Sequence, residues 1–305
     1  MSLHDASCYD FGTMKFISLV KNLVKNKVSK VSEHTRRFSL GAAMLCSCFC
    51  AVAAGQGQTI GSAADLTPEL RTKIDKLSNL QKNFSKTKNM NGPGVTLSLK
   101  EIERTRTPDR ILITYRLYAE GLPKDEIYTL FQIQIDGSSL KNMAGITLDS
   151  TGQAVCAGRE GTCRGEAPND PIDLAVFAGK GEPKRFALVS QDDSEIRGFV
   201  SVQPFPNVAT DKACKLESVL GTPNGELTFI QASGFEPNSA LTINGQSYGE
   251  KHDYTAKADA DGAYFSTLLP AVAGKKSGKT VIEVKSTNCS PKLHFQWGEN
   301  SYHLE

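Results

Sequence analysis

The sequence predicts an all-β protein with two tandem β-sandwich domains, preceded by a signal segment and a short amphipathic helix. From residue 95 onward, apolar residues alternate with polar ones in short stretches that turn residues separate, and no long helical pattern occurs. Many short strands at regular spacing indicate a sandwich or a barrel. The predicted parts are a signal peptide with an N-terminal extension (1–54), a linker with the helix (55–94), a first sandwich (95–207) and a second sandwich (208–305).

The N-terminal segment has the features of an export signal. A basic run ends at Arg37, and residues 38–54 (FSLGAAMLCSCFCAVAA) are apolar but shorter than the ~20 residues that a membrane span needs. Ala51-Val52-Ala53 gives the small-x-small pattern that signal peptidase accepts. We therefore expect ordinary secretion, to the periplasm, the cell envelope or the medium.

Two other export routes stay open. Leu45-Cys46-Ser47-Cys48 is close to a lipoprotein cleavage box, which would place a lipid anchor at Cys48, and Thr35-Arg36-Arg37 resembles part of a twin-arginine signal. The expected membrane contact is therefore limited to the signal segment or this anchor. The long stretch before the apolar run leaves Met1 and Met14 as alternative starts.

The positive charge is concentrated in the N-terminal segment. The chain carries +2, and residues 1–54 hold seven Lys/Arg against three Asp/Glu, so the remainder carries −2. A nearly neutral chain has no overall field to attract nucleic acid or anionic lipid. We therefore expect no nucleic-acid partner.

Four of the eight cysteines follow the predicted cleavage site: Cys156, Cys163, Cys214 and Cys289. An even number in an exported chain predicts disulfides, and four cysteines allow three connectivities. We favour the sequential pairing, because Cys214 and Cys289 lie near the two ends of the second half, while Cys156 and Cys163 close a local loop. Structural zinc prefers ligand pairs that are closer in sequence, so we expect no metal.

Residues 66–88 are expected to form the amphipathic helix. Thr67 can cap the first free N–H groups, and Pro68 suits the first helical position. The apolar positions recur at spacings of three and four, at Leu66, Leu70, Ile74, Leu77, Leu80 and Phe84. This stripe predicts packing within the chain rather than on a partner, but it does not indicate which domain the helix covers.

Short alternating stretches predict the strands of both domains. In the first domain they are VTLSLKEI, RILITYRLYAE, IYTLFQIQID, IDLAVFAG, RFALVS and IRGFVSVQPF. In the second domain they are KLESVL, ELTFIQASGF, ALTING, YTAKADADG, KTVIEVKS and KLHFQWG. Turn chemistry separates them, for example at Thr107-Pro108-Asp109 and at Asp136-Gly137.

The two halves of this region also resemble each other in sequence. The matching pairs are YAEGLPKDEIYTL (118–130) with QASGFEPNSALTI (231–243), LDSTGQAV (148–155) with ADADGAYF (258–265), and FAGKGEPKRFALVS (177–190) with VAGKKSGKTVIEVKS (272–286). Their order is kept and their separations are similar. We therefore predict two copies of one sandwich module of about a hundred residues, a usual size for an immunoglobulin-like sandwich.

Residues 273–280, AGKKSGKT, match the loose pattern of a phosphate-binding loop. Such a loop follows a strand and opens a helix, whose N–H groups hold the phosphates. Here Thr280 is followed by VIEVKS, an alternating stretch that predicts a strand. We interpret AGKKSGKT as a hairpin turn rich in Gly and Lys and expect no nucleotide cofactor.

Two further motifs define alternative functions. GQSYG (245–249) matches the nucleophile elbow of serine hydrolases around Ser247, but the residues that follow show no helical periodicity. ADADG (258–262) offers Asp259 and Asp261 to calcium, but no bidentate Glu follows where an EF-hand needs one, and Asp-Gly is typical of a tight hairpin. We favour turns at both places and expect no catalytic, cofactor-binding or metal-binding residue.

The remaining distinctive side chains have structural interpretations. Period two places Leu293, Phe295 and Trp297 on one face of a closing strand, which predicts a core position for each. The histidines of the mature chain, His252, His294 and His303, lack metal-ligand spacing.

Three stretches of the second half carry a family resemblance. ASGFEPNS (232–239), ADADG (258–262) and Trp297-Gly298 resemble the immunoglobulin-like modules of secreted bacterial surface proteins. The resemblance covers residues 214–298 directly, and residues 95–207 only through the internal repeat. It implies spacing, display or adhesion rather than catalysis, with a protein or a cell-surface glycan as partner. The serine hydrolase and the calcium- or ligand-binding sandwich are the alternative functions.

Overall fold

The computed structural model describes residues 59–60, 66–85, 90–107, 110–158, 163, 167–299 and 301. Chain contacts divide the protein into two units, Met1–Gly55 and Gln56–Glu305, and every described residue belongs to the second unit. The predicted signal segment, the anchor at Cys48 and His303 lie outside the described residues. None of the helices in these ranges combines the length and the hydrophobicity that a transmembrane helix requires.

A short strand and a helix precede the two halves. The predicted polar linker contains β1 (Thr59–Ile60), which the sequence analysis missed, and the predicted helix is present as α1 (Pro68–Ser85). The N–H of Leu70 donates to Thr67 Oγ1 at 3.3 Å, which confirms the predicted cap. The buried side of α1 is formed by Ile74, Leu77, Gln81 and Phe84. Gln81 is a polar exception to the predicted apolar stripe.

The first half contains two antiparallel sheets that enclose one core. Its strands are β2 (Thr96–Arg106), β3 (Ile111–Glu120), β4 (Tyr128–Ile133), β5 (Ser139–Leu148), β6 (Ala154–Cys156), β7 (Asp173–Ala178), β8 (Lys184–Ser190) and β9 (Arg197–Val202). The strand orders are β2-β3-β7 and β6-β5-β4-β8-β9. The alternation of apolar and polar residues predicted a strand with one buried face, and β3 confirms it. Ile113, Tyr115 and Leu117 are buried in the core, and the residues between them are half-buried.

The second half is built in the same way. Its strands are β10 (Asn207–Asp211), β11 (Cys214–Leu220), β12 (Thr228–Ser233), β13 (Ala240–Ser247), β14 (Glu250–Lys257), β15 (Tyr264–Leu268), β16 (Ser277–Lys285) and β17 (Lys292–Gly298). One sheet has the order β1-β15-β12-β11-β10, in which β1 pairs in parallel with β15, and the other has the order β14-β13-β16-β17. Leu216, Ile230, Ile243 and Ile282 are fully buried between the sheets.

The two halves share one strand order. The sheet β2-β3-β7 corresponds to β11-β12-β15, and β5-β4-β8-β9 corresponds to β14-β13-β16-β17. Two of the three matching sequence pairs lie at equivalent places in this order, 118–130 with 231–243 and 177–190 with 272–286. The third pair does not, because 148–155 ends in β6 and 258–265 ends in β15, and these strands belong to non-equivalent sheets. The predicted strand KLHFQWG is confirmed as β17, with the same first and last residues. Strands β5, β6, β10 and β15 were not predicted as separate strands.

The same aspartate–glycine turn follows β5 and β14. Asp149 Oδ1 accepts hydrogen bonds from the N–H groups of residues 151 and 153, and Asp259 Oδ1 accepts them from the N–H groups of residues 261 and 263. The hydrogen bonds that Asp149 accepts, the one from the Thr151 side chain above all, lower the pKa of its carboxyl. Both aspartates therefore hold the backbone of a turn.

The glycines of these turns lie close to backbone outside the turn, Gly152 to the end of β3 and Gly262 to the loop that follows β12. Gly152 and Gly262 have φ angles of 84° and 70°. A Cβ on Gly152 would lie 2.4 Å from the carbonyl oxygen of Ala119, and one on Gly262 would lie 2.1 Å from that of Phe235. The prediction of a tight hairpin at ADADG was wrong, because this turn carries the chain from β14 in one sheet to β15 in the other.

Direct backbone contacts join the two halves. The loop after β7 packs against the second half, and Gly181 O in this loop accepts a hydrogen bond from the N–H of Leu220 at 2.9 Å. Gln203 Nε2 donates to Gly181 O and to Ser218 O, both at 2.8 Å. Asn207 is buried at the same place and donates from Nδ2 to Ser218 Oγ at 2.8 Å. The connection is therefore a packed and hydrogen-bonded joint.

Helix α1 strengthens this joint because it contacts both halves. Ile74 and Leu77 form a cluster with Val219 and Phe229 on the outer face of the β11-β12-β15 sheet. At the other end of the helix, Phe84 stacks on Phe199 of β9 with ring centroids 5.6 Å apart. The helix thus packs within the chain, as predicted, and it covers parts of both halves.

Candidate functional site

The segment AGKKSGKT (273–280), which matches the phosphate-loop pattern, runs into the start of a strand. Strand β16 begins at Ser277, so Gly278, Lys279 and Thr280 are all extended. The predicted strand after Thr280 is confirmed. The Thr280 side chain points into the sandwich and is buried. A phosphate-binding loop requires a helix that begins at this point, whereas a strand begins here.

Ser247 is the centre of a buried hydrogen-bond network. Its Oγ donates to the carbonyl oxygen of Pro270 at 2.7 Å. The same Oγ accepts hydrogen bonds from Thr280 Oγ1 at 3.1 Å and from Trp297 Nε1 at 3.1 Å. The network ties β13, β16 and β17 to the loop before β16, and no histidine or carboxylate is among these partners. The Gly-x-Ser-x-Gly match is thus a strand end followed by a turn, in which the serine satisfies buried polar groups.

Tyr248 and Gly249 form the two-residue turn between β13 and β14. Ser247 pairs with Glu250 across this turn. Both turn residues have positive φ, 50° for Tyr248 and 84° for Gly249. Asn, Asp and Gly usually occupy such positions, because positive φ is unfavourable for a bulky residue. A tyrosine here is a strained choice that the hairpin itself does not require.

The Tyr248 ring forms one wall of an open groove. The groove has a volume of about 380 Å³ and is lined by Tyr248, Ser277, Gly278, Lys279 and Gln296. The ring lies edge-to-face against buried Trp297, with centroids 6.2 Å apart and an interplanar angle of 60°. Tyr248 is nevertheless 54% exposed, the largest value among the exposed large apolar side chains of the described residues.

Gly278 makes room for this aromatic pair. A Cβ on Gly278 would lie 2.6 Å from Tyr248 Cε2 and 2.8 Å from two atoms of the Trp297 indole. Because real Cβ atoms do not approach other atoms so closely, any larger residue at 278 would displace a ring. This glycine of the segment AGKKSGKT therefore serves the packing of the groove.

Lysines give the groove its charge. Lys275 Nζ lies 5.1 Å from the centroid of the Tyr248 ring, within range of a cation–π interaction. Lys279 lines the groove beside Gln296, its cross-strand neighbour. Among the described residues, no carboxylate lines the groove and neither lysine forms an ion pair. The sequence analysis noticed these lysines as turn composition and missed Tyr248 entirely.

The aspartates proposed for calcium are far from forming a ligand cage. Asp259 Oδ1 is occupied by two backbone N–H groups, as described above. No group of three or more His, Cys, Asp or Glu side chains suitable for a metal ion occurs among the residues that the structure describes. His252 is half-buried on β14 and His294 is exposed on β17.

The four cysteines form two disulfides. Cys156 is bonded to Cys163, and Cys214 is bonded to Cys289, which is the sequential connectivity. The second bond links the start of β11 to the loop before β17. Disulfides persist in oxidising compartments, so both bonds indicate a location outside the cytoplasm, in the envelope or beyond it.

One charged side chain is buried at the joint. Arg185 on β8 is 1% exposed, and its Nη2 donates to Gln81 Oε1 of α1 at 2.5 Å. Its guanidinium carbon lies 4.2 Å from the centroid of the Phe84 ring. The Nε and Nη1 atoms of Arg185 have no partner among the described residues, and burial lowers the pKa of this guanidinium to about 10.

The comparisons with known proteins show no family for this chain. No protein-family model matches it, and no curated protein matches it. A solved structure described as a biofilm-associated protein, BSP domain, is 12% identical, with 73% of this chain and 54% of that chain covered and a TM-score of 0.17. A DUF3823 family protein from Bacteroides ovatus is 10% identical, with 58% and 89% covered and a TM-score of 0.16. The chain spans about half the length of the first structure, and both TM-scores are too low to establish a shared fold or function.

Proposed function

We propose that this protein is a non-enzymatic module of the cell envelope or the extracellular space, which holds a binding surface at a fixed distance from its point of attachment. Its two halves are proposed to be copies of one immunoglobulin-like sandwich, since they share strand order and turn chemistry. The N-terminal export signal remains part of this proposal. The partner is proposed to be a protein or a cell-surface glycan.

The observation that carries the proposal is the joint between the halves. Tandem sandwich domains that move independently are joined by exposed linkers, and few contacts form between the two domains. Here Gly181 O accepts the Leu220 N–H, Gln203 bridges the halves, and α1 packs on both. A spacer or display protein needs such a joint, because rigidity keeps the distal surface at a constant distance.

The non-enzymatic part of the proposal is supported by the use of the motif residues. Ser247 Oγ already donates to Pro270 and accepts from two side chains, so it lacks the free base partner that a nucleophile needs. A fluorophosphonate probe tests this directly. We expect no labelling of Ser247 in the wild type, and labelling that disappears in Ser247→Ala would favour a serine hydrolase instead.

Small-angle X-ray scattering tests the rigid joint. We expect one maximum dimension that stays constant between about 0.1 M and about 1 M salt, since packed contacts are insensitive to screening. Gln203→Ala should broaden the distribution of distances, because the hydrogen bond to Ser218 O across the joint is lost, together with the bond to Gly181 O in the loop that packs there. Gln246→Ala is the matched control, since Gln246 is exposed on β13. A broad, salt-dependent distribution in the wild type would contradict the proposal.

A further inference from the structure

We propose that the Tyr248 groove binds an acidic saccharide, with the sugar ring stacked on Tyr248 and its anionic group beside Lys279 and Lys275. This inference rests on the proposed function, because it names the ligand class of the distal surface. It adds a binding site that neither the motifs nor the comparisons assign.

The first argument is the cost of placing a tyrosine at this turn. Tyr248 adopts a φ of 50° where Asn or Gly would form the same hairpin without strain. Strained positions persist where the surrounding structure supports them, and they cluster at ligand sites. Gly278 and Trp297 supply that support, since they hold the ring from beneath and leave it 54% exposed.

The second argument is the chemistry of the groove. An exposed aromatic ring offers an apolar face, and the C–H side of a pyranose ring is a complementary apolar surface rimmed by hydroxyl groups. Gln296 lines the groove, and its side-chain amide can exchange hydrogen bonds with such hydroxyls. The groove of about 380 Å³ lies within the size range of small-ligand sites, although it is open on one side.

The third argument is charge. Lys275 lies over the Tyr248 ring and Lys279 lines the groove, and none of the described residues that line the groove is a carboxylate. The part of the chain after residue 54 carries a net −2, so this basic groove is local and does not follow from the overall charge. A carboxylate or sulfate on the sugar would complement it. A neutral saccharide would leave both ammonium groups without a counter-charge.

Isothermal titration calorimetry on the full chain tests the inference with four probes. They are an oligogalacturonate, a sulfated oligosaccharide, a neutral maltooligosaccharide of equal length and an oligothymidylate. We expect at least one acidic saccharide to bind at least about tenfold more tightly than the neutral one, with an affinity that falls as salt is raised. The two acidic probes distinguish a carboxylate ligand from a sulfate ligand.

Variants then locate the site. Tyr248→Asn should weaken binding at least about tenfold, because aromatic anchors dominate such contacts, while Asn-Gly is the preferred hairpin turn and keeps the fold intact. Lys279→Ala should weaken binding and reduce its salt dependence. The matched controls are Phe177→Ala, an exposed aromatic at 51%, and Lys292→Ala, an exposed lysine on β17, and both should leave affinity unchanged.

Three results would overturn the inference. They are no binding of either acidic saccharide, acidic binding that Tyr248→Asn leaves unchanged, and tighter binding of the oligothymidylate than of the saccharides. The rigid joint is measured separately by scattering. A rigid protein that binds no acidic saccharide would therefore refute this ligand class alone, whereas a flexible one would refute the proposed function.

Discussion

The loops that join β7 to β8 and β15 to β16 occupy equivalent places in the two halves, but their environments are opposite. In the first loop, Gly179, Gly181 and Pro183 are buried, because the loop contacts the second half. In the second loop, residues 273–276 are exposed and stand beside the Tyr248 groove. Similar stretches, AGKGEPK and AGKKSGK, thus serve a joint in one half and a surface in the other.

The difference shows how one scaffold separates stability from binding. The strand order, the aspartate–glycine turns and the buried cores are common to both halves. What differs is whether a loop finds a neighbour within the chain. Lys180 of the first loop lies over the Phe205 ring at 5.8 Å, inside the joint, while Lys275 lies over an exposed tyrosine.

The largest expected effect is the loss of stability when a disulfide is removed, and the loss should differ between the two disulfides. Cys214→Ser with Cys289→Ser opens a loop of sequence separation 75, whereas Cys156→Ser with Cys163→Ser opens one of separation 7. Loop entropy predicts losses in the free energy of unfolding of about 4 kcal/mol and about 2 kcal/mol. Urea denaturation followed by tryptophan fluorescence measures both. Equal losses would show that loop length does not control the difference.

The next effect concerns the glycines of the turns. Gly262→Ala should lower the free energy of unfolding by about 3 kcal/mol, because positive φ and the carbonyl oxygen of Phe235 both oppose a Cβ. Gly274→Ala is the control, since its φ is 78° but no atom lies within 4 Å of the added Cβ. It should lose only about 1 kcal/mol. A loss at Gly262 no larger than at Gly274 would remove the role of the close contact.

Ser247 has a smaller expected effect. Ser247→Ala leaves the Trp297 indole N–H and the Thr280 hydroxyl without their acceptor, at a cost of about 2 kcal/mol. Thr280→Val removes a single donor with little change of shape and should cost less. Thermal denaturation of the two variants gives the order. An unchanged midpoint for Ser247→Ala would mean that the network does not stabilise the sandwich.

The smallest effect is a gain in stability at the joint. Arg185 and Gln81 are hydrogen-bonded to each other, but two guanidinium nitrogens of Arg185 have no partner among the described residues. The double variant Arg185→Met with Gln81→Leu removes this buried charge, and a protein with apolar residues of similar size at such a place is often more stable. We expect the double variant to be more stable by about 1 kcal/mol. Arg185→Met alone should be less stable than the double variant, because Gln81 Oε1 loses its donor. Chemical denaturation that shows a net loss for the double variant would contradict this expectation.

Local chemistry made much of the fold predictable. The Thr67 cap, the Pro68 start and the spacing of the apolar residues specify α1 through contacts a few residues apart. Strand β17 alternates without interruption and was predicted at its true bounds. Strand β5 was missed because SLKNMAGITL does not alternate, and its pairing with β4 contains two register shifts. Strand β1 has two residues, which is too short for any periodic signal.

The candidate site could not be predicted, because its parts meet only in the folded sheet. Tyr248 comes from one hairpin, Gly278 and Lys279 from β16, and Gln296 from β17. One signal was available: a tyrosine in front of glycine between two alternating stretches, where Asn is the usual residue. At ADADG the turn chemistry was read correctly but its topology was not, since an Asp-Gly turn does not encode which sheet receives the next strand.

Hydrogen–deuterium exchange of one amide tests the rigid joint most directly. The Leu220 N–H donates to Gly181 O of the other half, so its protection depends on the contact between the halves. If the joint is rigid, this amide exchanges as slowly as that of Ile230 in the centre of β12. Exchange of Leu220 at the rate of an exposed loop, with Ile230 still protected, would show that the halves move apart and would contradict the rigid display module.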